Sequence, residues 1–308
     1  MPLLDIILGY DCNVACDYCT ITPAMRERAL TTDAIARAMK EQRAQGYDRV
    51  SFTGGEPTMR GDLLGLVRYA SKLGFSDIKV QSNGLLYAQE ANVTRLRDAG
   101  CNNFHISIHT HDPDLYDELV RRPGAYQMMV AGLRNTISAG VPLEVDAIIK
   151  ADTLPRLVDA TRWLHAQGVG RLNLWFVSLT DNNRDNVESM PRMTEAVPTM
   201  ATVFDFARAN AMTVRSLHVP RCLLGEYTDH AFDPGADDVC VVTPEATFQL
   251  HESKLAGQSF VAACDGCKFR DRCPGVRDDY LEMYGDAEIA AARGVDSSRP
   301  PTRQLATV

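Results

Sequence analysis

From residue 3 to about residue 217 the chain repeats one unit, a short apolar run followed by an amphipathic segment at helical period. The runs expected to be strands are Leu3–Leu8, Arg49–Thr53, Asp77–Gln81, Asn103–Ile108, Pro142–Ile149 and Arg171–Val177. Helical patterns lie between and after them at Thr32–Gln45, Asp62–Leu73, Ala88–Ala99, Tyr126–Ala139, Leu154–Gln167 and Thr194–Ala211. Gly46, Gly74, Gly100, Gly140 and Gly168 each follow one of these patterns, as the left-handed residue ending a helix does. Such βα units, with no other element between them, predict an α/β fold, a partial (β/α)6 TIM-like barrel of parallel strands. In that architecture chemistry sits at the C-terminal ends of the strands.

Beyond residue 218 the rhythm breaks. Residues 220–275 carry five cysteines and several Pro/Gly turns, with strand-like runs at Val239–Thr243 and Thr247–His251. Three regions are therefore expected: a barrel over 1–217, a small metal-stapled extension over 218–290, and a flexible Ser/Pro/Arg-rich tail over 291–308. The net charge of −8 argues against nucleic acid as the main partner, because no basic stripe is available to neutralise phosphates. The N-terminal segment lacks a positive region and meets Gly9-Tyr10-Asp11 within its first residues, so it is no signal peptide. No run of about 18 apolar residues is present, and a cytoplasmic location is expected.

The nine cysteines are the chain's strongest chemical signal. Their odd number and the missing secretion signal argue for metal binding rather than disulfides. Eight of them lie in the first 19 residues or beyond residue 221, which indicates two separate sites, and Cys101 between them is expected to be a core residue. Cys12, Cys16 and Cys19 follow the first strand directly. Zinc sites close with four ligands, and no fourth ligand lies nearby. Three thiolates can hold three irons of a cubane cluster, leaving the fourth iron open to a ligand.

This Cys-x3-Cys-x-aromatic-Cys run, with Tyr18 as its aromatic residue, resembles the defining motif of the radical S-adenosylmethionine (radical SAM) superfamily. The resemblance implies a [4Fe–4S] cluster on Cys12, Cys16 and Cys19 whose open iron chelates SAM. One electron then cleaves SAM to a 5′-deoxyadenosyl radical that abstracts hydrogen from substrate. Gly54-Gly55-Glu56-Pro57, at the end of the second strand, is similar to the family's Gly-Gly-Glu-Pro. There the glycines are expected to admit the SAM amino group and Glu56 to accept its hydrogen bonds. The same resemblance places Tyr18, Ser82, Asn83, Ser107, Asp146 and Phe176 around the cofactor. His105, His109 and His111 fall on one face of a strand by alternation, with no carboxylate partner evident, and are expected to pack or to line a substrate pocket.

Cys264-x2-Cys267-x5-Cys273, with Cys222 upstream and Tyr280…Tyr284-Gly285 downstream, resembles the SPASM and twitch extensions of these enzymes. Four thiolates would complete one auxiliary [4Fe–4S] cluster. Cys240 is a doubtful fifth thiol, and His251 stands where the family often has cysteine. A structural zinc knuckle is the bland alternative for this region.

The resemblance implies an enzyme that takes its electron from an external flavodoxin- or ferredoxin-type donor. It would abstract hydrogen from a peptide or a small biosynthetic intermediate, with oxidation or cross-linking to follow. A cyclase or dehydrogenase acting on a nucleotide or sugar-like molecule is the alternative within the family. The terminal Gln-Leu-Ala-Thr-Val lacks the double glycine of the molybdenum-cofactor cyclases. Outside the family, a non-catalytic iron–sulfur or zinc protein would have no need of Gly54-Gly55-Glu56.

Overall fold

The computed structural model describes residues 2–233, 238–250 and 258–294. Its main sheet has nine strands: β1 (Leu3–Ile7), β2 (Arg49–Thr53), β3 (Asp77–Ser82), β4 (Asn103–Ser107), β5 (Leu143–Ile149), β6 (Arg171–Phe176), β7 (Thr213–Leu217), β8 (Val239–Val242) and β9 (Thr247–Gln249). Their order is β7-β6-β5-β4-β3-β2-β1-β8-β9, and every pairing is parallel except β8–β9. The edges β7 and β9 do not meet, so the barrel stays open. All six expected strands form, each within a residue of its expected bounds.

The connections carry α1 (Thr32–Ala44), α2 (Leu63–Lys72), α3 (Glu90–Ala99), α4 (Pro113–Val120), α5 (Ala125–Ser138), α6 (Leu157–Gln167) and α7 (Met193–Ala209). Thr31 caps α1 by accepting from the Ala34 amide at 3.2 Å. Gly100 and Gly168 end α3 and α6 in the left-handed conformation. Apolar residues at alternate strand positions, such as Leu4, Ile6, Val50, Phe52, Val80, Phe104, Val145 and Leu174, are fully buried. The positions between them hold Asp5, Ser51, Lys79, His105, Asp146 and Asn173, so the barrel lumen has a polar wall.

Two strands depart from the sequence expectation. A seventh parallel strand, β7, extends the sheet beyond the six expected units. Residues 239–242, expected in the extension, form β8 beside β1, with Cys240 in register with Leu4 and 2% exposed. The extension proper holds β10 (Gln258–Ser259), β11 (Val276–Arg277), α8 (Asp278–Tyr284) and α9 (Ala287–Arg293). Helix α9 overruns the expected start of the tail at residue 291, and residues 295–308 lie outside the described residues.

The extension is fastened to the C-terminal end of the barrel by polar contacts. The Leu179 amide donates to Asp279 at 2.7 Å, the Met193 amide donates to the Tyr280 hydroxyl at 2.9 Å, and the Tyr284 hydroxyl donates to the Met190 carbonyl at 2.7 Å. No described helix is long and apolar enough to cross a membrane.

Candidate active site

The Cys12–Cys19 loop leaves the end of β1 and has no regular structure of its own, so its polar backbone needs partners elsewhere. Helix α4 supplies two of them. The last carbonyls of a helix have no partner inside it. In α4 the Leu119 carbonyl accepts from the Asp17 amide at 2.9 Å, and that of Val120 accepts from the Ala15 amide at 3.3 Å. Side chains hold the loop's own carbonyls. Arg26 donates to Cys12 and Val14, Arg122 to Asn13, Asn186 to Asp17 and Asn182 to Cys19. Lys150, only 2% exposed at the end of β5, pairs with Asp17 at 2.7 Å and with Asp152 at 2.8 Å.

Gly54 and Gly55 serve this loop as well. The Gly55 amide donates to the Gly9 carbonyl at 2.9 Å, and the Glu56 amide donates to the Asp11 carbonyl at 2.8 Å. A Cβ on Gly54 would lie 2.3 Å from the Gly9 carbonyl oxygen, and one on Gly55 would lie 2.1 Å from that of Asp11. Gly54 also has φ +129°, which other residues rarely adopt. The glycine pair lets the β2 end lie flat against the chain that leads into the cysteines.

Glu56 is 3% exposed. Its Oε1 accepts from the Thr58 amide at 3.0 Å, the Thr58 hydroxyl and the Ser82 hydroxyl at 2.8 Å, while Oε2 accepts from the Asn83 amide at 2.8 Å. The carboxylate thus ties the β2 end to the β3 end. Burial raises its pKa above the usual carboxylate range despite these donors, which only partly offset the desolvation. A buried carboxylate in this condition fits a cationic ligand, and Oε2 keeps acceptor capacity for one. Asn83 reaches towards the loop: its Nδ2 donates to Asn13 Oδ1 at 2.7 Å and stands 3.9 Å from Cys12 Sγ.

The cysteine environment suits a cationic iron site. Burial raises the thiol pKa values of Cys12 and Cys16, that of Cys16 to about 12, and the neighbouring cysteines add to both shifts. Bound metal reverses this preference, since a coordinating thiol is deprotonated. Tyr18 lies edge-on to His109 with ring centroids 4.8 Å apart. His109 accepts from the Ile148 amide, and burial lowers its pKa to about 4, so the ring is neutral.

The remaining expected cofactor residues are more scattered. Pro57 is buried in the turn after Glu56, and Ser107 ends β4 partly exposed. Both Asp146 oxygens are engaged, Oδ1 by His105 at 2.7 Å and Asn173 at 3.1 Å, Oδ2 by Gln81 at 3.0 Å. Asp146 therefore belongs to a network in the lumen, and it is the carboxylate partner that His105 lacks in the sequence. Phe176 is 1% exposed and packs edge-on to Tyr280 of the extension.

Of the C-terminal cysteines, Cys222, Cys264, Cys267 and Cys273 line one cleft, with Phe260, Phe269 and Arg270 beside them. Burial and the other three thiols push the Cys222 pKa up to about 11. The buried Arg221 guanidinium brings the two ends of this constellation together by donating to the Arg272 carbonyl at 3.3 Å and the Thr228 carbonyl at 2.5 Å. Cys240 is not at the cleft, because it is part of β8, and Cys101 is buried in the core as expected. His251 lies outside the described residues. Among the described residues no three His, Cys, Asp or Glu side chains converge on a point as a single metal ion requires.

Sequence reasoning missed Arg26, Arg122, Lys150, Asn182, Asn186 and helix α4. Only α4 had a local signal, the cap residue Asp112 followed by Pro113 at the first helical position.

The family model of the radical SAM superfamily matches residues 6–185. An AdoMet-dependent heme synthase of Oleidesulfovibrio alaskensis is 26% identical over 211 residues, 68% of this chain and 54% of the relative, so the chain spans about half of that protein. A probable GTP 3',8-cyclase of Sulfurisphaera tokodaii is 24% identical over 239 residues, 77% of this chain and 74% of the relative. Among solved structures, Streptococcus suis SuiB bound to S-adenosylmethionine superposes with a TM-score of 0.69 at 14% identity, covering 94% of this chain and 76% of SuiB. The anSMEcpe enzyme with bound AdoMet and Cp18Cys peptide gives 0.69 at 13% identity, over 95% and 97% of the two chains. The family match covers more than half of the sequence, and the chain belongs to the radical SAM superfamily.

Proposed function

We propose that this enzyme holds a SAM-binding [4Fe–4S] cluster on Cys12, Cys16 and Cys19 and an auxiliary one on Cys222, Cys264, Cys267 and Cys273. It abstracts hydrogen from a peptide or a small biosynthetic intermediate, and oxidation or cross-linking follows. Once bound and reduced by an external flavodoxin- or ferredoxin-type donor, the first cluster and SAM supply the 5′-deoxyadenosyl radical. The single observation that carries the reading is the pair of separate cysteine sites, one leaving β1 and the other in the extension fastened over the same end of the barrel.

The chain's own residues have defined tasks in this reading. Glu56 accepts hydrogen bonds from the SAM ammonium, Asn83 and Ser82 hold that carboxylate in place, and Tyr18 packs beside the adenine. The polar wall with His105, Asp146, Gln81 and Asn173 faces the substrate. Similarity to peptide-bound SuiB and anSMEcpe structures favours a peptide, whereas the cyclase relatives favour a nucleotide-like molecule.

Anaerobically reconstituted, reduced protein is expected to release 5′-deoxyadenosine from SAM, measured by chromatography. A cluster-loaded protein that releases none is an iron–sulfur carrier instead. Glu56→Gln is expected to weaken SAM binding by about 1.5–3 kcal/mol, the worth of a hydrogen bond to a charged group, with iron content unchanged. Equilibrium binding of SAM checks this, and wild-type affinity would leave Glu56 as a brace between β2 and β3 only.

A further inference from the structure

Two guanidinium groups that hold the cysteine loop, those of Arg26 and Arg122, carry a charge with no task in the reading above. Arg26 Nη1 donates to the Cys12 carbonyl at 3.2 Å and Nη2 to the Val14 carbonyl at 2.9 Å, while Arg122 Nη1 donates to the Asn13 carbonyl at 3.0 Å. Three successive carbonyls of the loop, residues 12 to 14, therefore point at cationic donors. Both arginines are half-buried. Neither is within ion-pair distance of a carboxylate among the described residues, unlike Lys150, whose charge two aspartates offset.

Backbone carbonyls need no charged donor, and asparagine does the same work elsewhere on this loop, at Asp17 and Cys19. The charge itself is the feature left over. Adding an electron to a thiolate-held cluster adds a negative charge, and fixed positive charge nearby stabilises that reduced state.

We propose that Arg26 and Arg122 set the electron affinity of the N-terminal cluster while strapping its loop. This rests on the reading of Cys12, Cys16 and Cys19 as cluster ligands. The two functions of Arg26 are separable by substitution. Lysine keeps the charge but not the planar fork that reaches two carbonyls, and glutamine removes the charge.

The test is a dithionite redox titration of the full, reconstituted chain followed by electron paramagnetic resonance, with Arg26→Gln, Arg26→Lys and Arg122→Gln. The chain lacking Cys12, Cys16 and Cys19 provides the background spectrum of the other cluster. Arg26→Gln is expected to lower the cluster's electron affinity about tenfold, which is about 59 mV for a one-electron couple. Arg122→Gln should move it in the same direction and carries the test alone if Arg26→Gln does not hold iron. Arg26→Lys should keep the wild-type potential but lose iron to a chelator faster.

Glutamine variants that retain iron at the wild-type potential overturn the proposal. So do Arg26→Gln and Arg26→Lys proteins that lose iron equally fast while Arg122→Gln keeps the wild-type potential, since the arginines are then straps only. Failure of the underlying reading has a different signature: the triple-cysteine variant would hold as much iron, with the same spectrum, as wild type.

Discussion

Gly55→Ala is expected to destabilise the chain by about 3 kcal/mol and to prevent stable loading of the N-terminal cluster. The new Cβ would sit 2.1 Å from the Asp11 carbonyl oxygen and 2.6 Å from the Tyr10 carbonyl carbon, and both atoms are backbone. Neither can swing aside as a side chain would. The β2 end must therefore separate from the segment leading into Cys12. Two backbone hydrogen bonds, Gly55 to Gly9 and Glu56 to Asp11, go with it. The control is Gly65→Ala in α2, where an added Cβ meets nothing within 4 Å. That change should stabilise the chain by about 0.4–1 kcal/mol, as replacing glycine by alanine does where the native backbone suits both. Urea unfolding of both variants, with iron analysis after reconstitution, reads the two effects separately. A Gly55→Ala protein as stable and as iron-loaded as wild type would show that the glycine pair does not brace the loop.

That example shows where the sequence was legible. Strands β1 to β6 were visible because each combines apolar burial with clear punctuation by glycine or polar turns. β7 was not, because Thr213, Arg215 and Leu217 alternate with only two buried residues at a sheet edge, too short a pattern to stand out. On one side β8 pairs with β1, more than 230 residues away in the chain, and nothing local to Val239–Val242 announces that pairing. In the site the same division holds. The cysteines declare their chemistry by spacing, because a cubane needs thiolates within reach of one another. Arg26, Arg122 and Lys150 do not, since a single basic residue acquires meaning only from the carbonyl or carboxylate that the fold brings to it. The motif at Gly54-Gly55 lies between these cases. The motif itself is legible, but its packing against the Gly9 and Asp11 carbonyls is not.

Iron stoichiometry is the measurement on which the two-site reading depends most. Three thiolates at the N-terminal site and four at the cleft imply two [4Fe–4S] clusters, hence about eight irons per chain after full reconstitution. Replacing Cys12, Cys16 and Cys19 together should leave about four, because the sites share no ligand, and Cys16→Ala alone should abolish SAM cleavage while the second cluster survives. Cys264→Ala or Cys267→Ala should remove the cleft cluster, since the Cys264–Cys267 turn, closed by the Cys267 amide donating to the Cys264 carbonyl at 3.1 Å, presents two adjacent thiols to it. Cys240→Ala should retain all the iron, because that side chain is buried in β8 rather than at the cleft. About four irons together with one zinc would replace the auxiliary cluster by a structural zinc knuckle, with the four cleft thiols drawn inward to bonds of about 2.3 Å. About twelve irons would require a further cluster with a ligand that is not cysteine, and Cys240→Ala losing iron would move the fourth ligand from Cys222 to β8.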